Sequence, residues 1–102
     1  MDMILSGKMI DAREALQIGL VNKVVPRTEL RTVCEGFAQE MAANGPLALE
    51  YAIEAINKGL EIPLDDALLL EAELFGKACA TEDSKEGTKA FLQKRRAHFQ
   101  GK

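Results

Sequence analysis

His98 is the only histidine of the chain, so any Ser-His-Asp or Cys-His nucleophilic arrangement would have to run through it. It stands near the C-terminus beside Lys94-Arg95-Arg96, the setting of a solvated surface imidazole, and receives no role. Cys34 and Cys79 lie far apart in apolar stretches, with no second Cys or His at ligand spacing. That pattern argues against a metal site or a disulfide and predicts buried thiols in a reducing compartment. Two carboxylate pairs, Glu50 with Glu54 and Glu82 with Glu86, have the helical spacing that acid–base chemistry or a metal could use. Both are flanked by polar residues without a nearby His or Cys, so each is read as a solvated helix face. Ser6-Gly7-Lys8 has no upstream glycine at P-loop spacing, and Gly7 is more simply a helix stop. Lys94-Arg95-Arg96 is the one cationic cluster. It suits either the negative end of a helix or an anionic ligand such as a phosphate.

The elements that would carry these residues are helical. Met3-Ile4-Leu5 resembles the last turn of a helix whose beginning is missing, stopped at Ser6-Gly7. Asp11 with Glu14 has capping-box spacing and opens a short helix through Ala12, Ala15 and Leu16, ended by Gly19. Leu20 to Pro26 is the one β-branched run, an extended connector or short strand closed by proline. Thr28 is placed to cap a helix to about Ala43, with Leu30, Val33, Phe37 and Met41 on one face. Asn44-Gly45 ends it, and Pro46 starts another at its first position. That helix has two apolar stripes, Leu49-Ala52-Ile53-Ile56-Leu60 and Leu47-Ala48-Tyr51-Ala55, so it is expected to be covered on two sides. Pro63 repeats the start signal for a helix to about Cys79, with Asp65 and Asp66 in its first turn. Thr81 or Asp83 caps the last helix, which closes on Lys94-Arg95-Arg96. The expected fold class is all-α, four to five packed helices with at most one very short strand.

Composition sets the outer bounds. The chain has 102 residues, 47% of them apolar and 28% charged, with 3 prolines and 8 glycines. That is one globular domain burying about 60–65% of its unfolded surface, not a disordered or low-complexity chain. Thirteen basic against 16 acidic residues give −3, which offers no electrostatic case for nucleic acid or an anionic membrane. No apolar run approaches the ~18–20 residues of a membrane span, and no signal peptide opens the chain, so a soluble cytoplasmic protein is expected. The helices nonetheless carry more apolar surface than an isolated small domain needs. A second domain, a neighbouring subunit, or both are expected to cover it.

In their order and spacing, six segments resemble the C-terminal third of the enoyl-CoA hydratase/isomerase (crotonase) family. They are Ile4 to Ala15 (ILSGKMIDAREA), Gly19 to Pro26 (GLVNKVVP), Asn44 to Ala48 (NGPLA), Glu71 to Phe75 (EAELF), Ala80 to Gly87 (ATEDSKEG) and Ala90 to Arg95 (AFLQKR). The last two are most like short-chain enoyl-CoA hydratases. The resemblance implies a helical region, residues 1–102, that builds a trimer or hexamer beside an N-terminal ββα spiral domain absent from this chain. In such hydratases two glutamates activate water and two backbone N–H groups hold the thioester enolate. All of these precede the segment matching Met1, so no catalytic residue and no metal ligand is expected here. No prosthetic group is implied; a coenzyme A thioester is the substrate. The family's aromatic and lysine contacts to the CoA adenine and phosphate, commonly made from an adjacent subunit, fall on Phe75 and Lys94. An aromatic face stacks on adenine and an ammonium meets a phosphate as a point charge. Two other readings remain open: an independent helical interaction module, and the same region of a family isomerase, branched acyl-CoA dehydratase or decarboxylase.

Overall fold

Glycines, prolines and short polar caps cut the chain into six helices, and a computed structural model describes all of residues 1–102. They are α1 (Asp2–Ser6), α2 (Ala12–Gln17), α3 (Leu30–Ala42), α4 (Pro46–Gly59), α5 (Leu64–Ala80) and α6 (Glu82–Leu92), with no strand. The count exceeds the expected four to five because the opening turn, Met3-Ile4-Leu5, is itself a short helix, capped by Gly7 at φ 64. The chain divides into two compact units, Met1–Phe37 and Ala38–Lys102.

In the first unit Asp11 caps α2, its carboxylate accepting from the Glu14 N–H at 2.8 Å. Only that half of the capping box forms, since the Glu14 side chain pairs instead with Lys8 Nζ at 3.3 Å. Gly19, at φ 75, reverses the backbone so that its own N–H reaches Leu16 O and that of Leu20 reaches Ala15 O. This is a Schellman ending, in which a left-handed residue satisfies the last carbonyls of a helix. Residues 20–22 bend and 23–26 run on without regular structure, so the β-branched run is a connector and not a strand. Thr28 does not cap α3. The helix is entered through a turn in which the Glu29 N–H donates to Pro26 O at 2.9 Å.

The second unit is built on α4 packed against α5, and α5 against α6. Pro46 occupies the first turn of α4 as expected. Pro63 instead lies one residue before α5, its carbonyl accepting the Ala67 N–H. At the hairpin end Gly59 faces Ala67, where an added Cβ would stand at 3.6 Å, an ordinary van der Waals contact. Leu74 on α5 and Ala90 on α6 are buried to 3% and 2% exposure. Most other large apolar side chains are exposed, including Leu64, Leu69 and Phe75 at 70% or more. The same lack of cover overturns the expectation of buried thiols: Cys34 and Cys79 are free and exposed.

Candidate functional site

The most highly organised polar structure is at α6. Thr81 caps the helix, its Oγ1 accepting the Ser84 N–H at 3.0 Å, and settles the choice between Thr81 and Asp83. Asp83 is thereby free for another task, and it is buried to 6% exposure. Its Oδ1 accepts the Gln100 N–H and its Oδ2 the Gly101 N–H, both at 2.7 Å, while its own N–H donates to Lys102 O. A buried carboxylate needs such charge-assisted bonds to offset its lost hydration.

One helical turn further on, Glu86 accepts Arg95 Nη1 at 2.6 Å and Nη2 at 2.8 Å, and also the His98 backbone N–H at 3.0 Å. The Arg95 guanidinium first, then the His98 amide, lowers the Glu86 carboxyl from 4.5 to about 2. Between these two carboxylate grips the tail, residues 95–102, lies back over α6 as a strap. Phe99 tucks between two glycines: an added Cβ would stand 3.7 Å from its ring at Gly45 and 3.3 Å at Gly87. The pair Glu82 and Glu86 is therefore not a plain solvated face. Glu82 pairs locally with Lys85, whereas Glu86 binds the tail.

Lys94 sits at the junction of helix and strap. The helix ends at Leu92, not at the basic cluster, and Lys94 adopts φ 51, the only positive φ outside glycine. Its N–H donates to Phe91 O and that of Arg95 to Ala90 O, the same Schellman pattern that Gly19 makes after α2. Arg95 then bonds Glu86, so the cluster is divided between an αL lysine and an ion-paired arginine. Of the three, Arg95 alone makes the tail contact, while the Lys94 and Arg95 N–H groups meet the last carbonyls of α6.

Phe75 lies elsewhere, on the α4–α5 face, lining an open groove of about 680 Å3. Tyr51, Ile56, Leu60, Leu64 and Leu68 line it too, and Glu71 is its one charged residue. Lys94 is not among its lining residues, so the chain does not bring its two expected ligand contacts into one cavity. Glu54 is paired on its helix with Lys58 at 2.6 Å, and Glu50 is exposed. His98 is exposed and enters the strap through its backbone alone. No group of three or more His, Cys, Asp or Glu is arranged to hold a metal.

Asp83 and Glu86 as tail-binding residues escaped sequence analysis. Their i, i+3 spacing looked like helix surface, and the sole hint of a docked tail was an aromatic, Phe99, among polar residues.

An all-helical chain of this order is a recognisable architecture. Residues 1–102 match the family model described as Enoyl-CoA hydratase/isomerase, and the chain belongs to that family. It is 42% identical over 94 residues to the short-chain-enoyl-CoA hydratase of Clostridium acetobutylicum, covering 92% of this chain and 36% of that one. It is 41% identical over 97 residues to the crotonyl-CoA hydratase of Syntrophomonas wolfei, covering 95% of this chain and 37% of the relative. An enoyl-CoA hydratase crystal structure from Bacillus anthracis superposes with a TM-score of 0.89 at 36% identity, over 91% of this chain and 36% of that one. The chain thus spans a little over a third of the length of the relatives it matches.

Proposed function

We propose that this chain is the helical, oligomer-building region of an enoyl-CoA hydratase, the enzyme that adds water across the 2,3-double bond of a 2-enoyl-CoA thioester. On this reading residues 1–102 complete a CoA site beside a spiral domain and do not hydrate substrate alone. The observation that carries it is the family match over the whole chain joined to apolar helix faces left open. The α4–α5 groove, with Leu64 and Phe75 exposed, is the kind of surface a neighbouring subunit of a trimer or hexamer covers.

The ligand roles follow from placement. Phe75 offers a free ring to stack on adenine, and Lys94 a free ammonium to meet a phosphate. Because one chain keeps these two apart, they serve CoA most simply as contributions across a subunit boundary. Asp83 and Glu86 are committed to backbone N–H groups and to Arg95, which leaves neither to activate water. Two free thiols suit a cytoplasmic setting.

Crotonyl-CoA hydration by this chain is the direct test. No turnover is expected, and turnover at a rate typical of a hydratase overturns the proposal. Sedimentation over a concentration series tests the oligomer, and a monomer throughout overturns the oligomer-building role. The exposed apolar faces also fit an independent helical interaction module, which is distinguished by self-association without any response to CoA. Within the family, isomerase, branched acyl-CoA dehydratase and decarboxylase remain alternatives at the same CoA site.

A further inference from the structure

Lys94 occupies a left-handed backbone conformation, φ 51, that is strained for an L-residue and that glycine adopts freely. The same turn after α2 is made by Gly19, at φ 75 with the same pair of hydrogen bonds. At the end of α6 the chain therefore carries a side chain where its own fold elsewhere uses none. Strain of this kind persists only where neighbouring structure over-determines it.

Arg95 and Glu86 supply that constraint. Arg95 is the next residue, and its guanidinium is held by both oxygens of Glu86. Its Nε donates to Gln93 Oε1 and its Nη1 to Arg96 O, so one side chain binds the residues on both sides of Lys94. The third bond to Glu86, from the His98 N–H, starts the strap immediately beyond. A Lys94 freed of these ties would relax toward negative φ and swing its ammonium away from its present direction.

We propose that Glu86 is a positioning residue for Lys94: its grip on Arg95 and on the His98 amide holds the left-handed turn that presents the Lys94 ammonium to an anionic phosphate. The proposal rests on Lys94 as the phosphate contact of the preceding section and adds the residue that aims it. Glu86 touches no ligand; it acts through Arg95. The two-point carboxylate–guanidinium geometry fixes direction as well as distance, which a single charge pair on a flexible stem does not.

The turn is read in the isotopically labelled 102-residue chain, and CoA binding in the same labelled residues joined behind the N-terminal two-thirds of the short-chain-enoyl-CoA hydratase of Clostridium acetobutylicum, where the CoA site is whole. The left-handed turn is read from the Lys94 Cα chemical shift and its N–H to Hα coupling, and CoA binding from titration of the Lys94 signals. Glu86→Gln is expected to lose the left-handed signature while the α6 amides stay protected. If the competent turn falls to about one-fifth of the population, the apparent Kd for CoA rises about fivefold. Arg95→Lys, which keeps the charge but not the fork, is expected to do the same and stands in if Glu86→Gln fails to fold. Glu54→Gln, which breaks only a local α4 pair, is expected to change neither reading. An intact left-handed Lys94 in both variants overturns the proposal, and so does a lost turn with unchanged CoA affinity. An intact turn in the wild-type chain with no CoA response at Lys94 overturns the ligand reading instead, and the proposal falls with it.

Discussion

Arg95 closes a two-point bond onto Glu86, nine residues earlier, with Nη1 and Nη2 each meeting one carboxylate oxygen at 2.6 and 2.8 Å. The ion pairs Arg31–Glu35, Lys58–Glu54 and Lys77–Glu73 each span a single helical turn on the surface. Pairs of that sort contribute little, because water competes and two long side chains lose freedom. The Glu86–Arg95 pair differs in joining a helix to a segment that has no secondary structure of its own.

Acid should release the strap before it melts the helices. The Glu86 carboxyl is lowered from 4.5 to about 2 by Arg95 and then by the His98 N–H. A depressed folded value means its stabilisation is fully present above the unfolded value and is lost as pH falls from about 4.5 to about 2. Arg95 and His98 are the charged or titratable groups acting on it. The His98 and Arg95 amides should gain exchange rate over that interval in the wild-type chain. Glu86→Gln should flatten the dependence, and an unchanged profile in that variant would contradict the assignment to Glu86.

Asp83→Asn should weaken the far end of the strap by about 1–3 kcal/mol, since an amide has one accepting oxygen and turns its NH2 toward the second donor. The Gly101 or Gln100 amide is left without a partner, and the loss should appear as faster exchange at those two positions. Thermal unfolding of wild type and variant checks the magnitude.

Two helical glycines should respond in opposite directions to the same substitution. At Gly87 an added Cβ would meet Phe99 Cε1 at 3.3 Å, so Gly87→Ala should push the ring outward and cost about 1 kcal/mol. Gly76, within α5, has open space around it, and Gly76→Ala should stabilise the chain by about 0.5–1 kcal/mol through reduced unfolded-state entropy. Denaturant midpoints of the two variants provide the comparison.

Lys94→Gly should separate conformation from charge. Removing the left-handed strain should stabilise the turn by about 1 kcal/mol, less the extra backbone entropy glycine has when unfolded. CoA affinity should fall all the same, because the ammonium is gone. A raised melting temperature together with weaker CoA binding is the expected result, and a lowered melting temperature would show that the lysine stem stabilises the turn through contacts of its own.

Local signals in the sequence foretold the helices, because helix starts and stops are decided by a few adjacent residues. Asp11 capping α2, Pro46 opening α4, Thr81 capping α6 and the left-handed Gly7 and Gly19 each depend on neighbours within about one turn. The excess of apolar surface was equally plain from the two-sided stripes of α4 and the leucine run of α5. Burial was not: Cys34 and Cys79 look like core thiols in sequence but are exposed, because burial depends on whatever packs against α3 and α5.

The strap is the clearest case of what sequence by itself leaves undetermined. Residue types placed the chain in a helical class, and the resemblance to the hydratase family marked Phe75 and Lys94 as the positions to watch. They did not reveal that Asp83 binds amides 17 and 18 residues away, or that Glu86 binds Arg95. An acid on a helix presents the same pattern whether it meets water, a lysine one turn along, or a returning tail. Only the tertiary path, with Phe99 set between Gly45 and Gly87, brings the tail amides within 2.7 Å of a buried carboxylate.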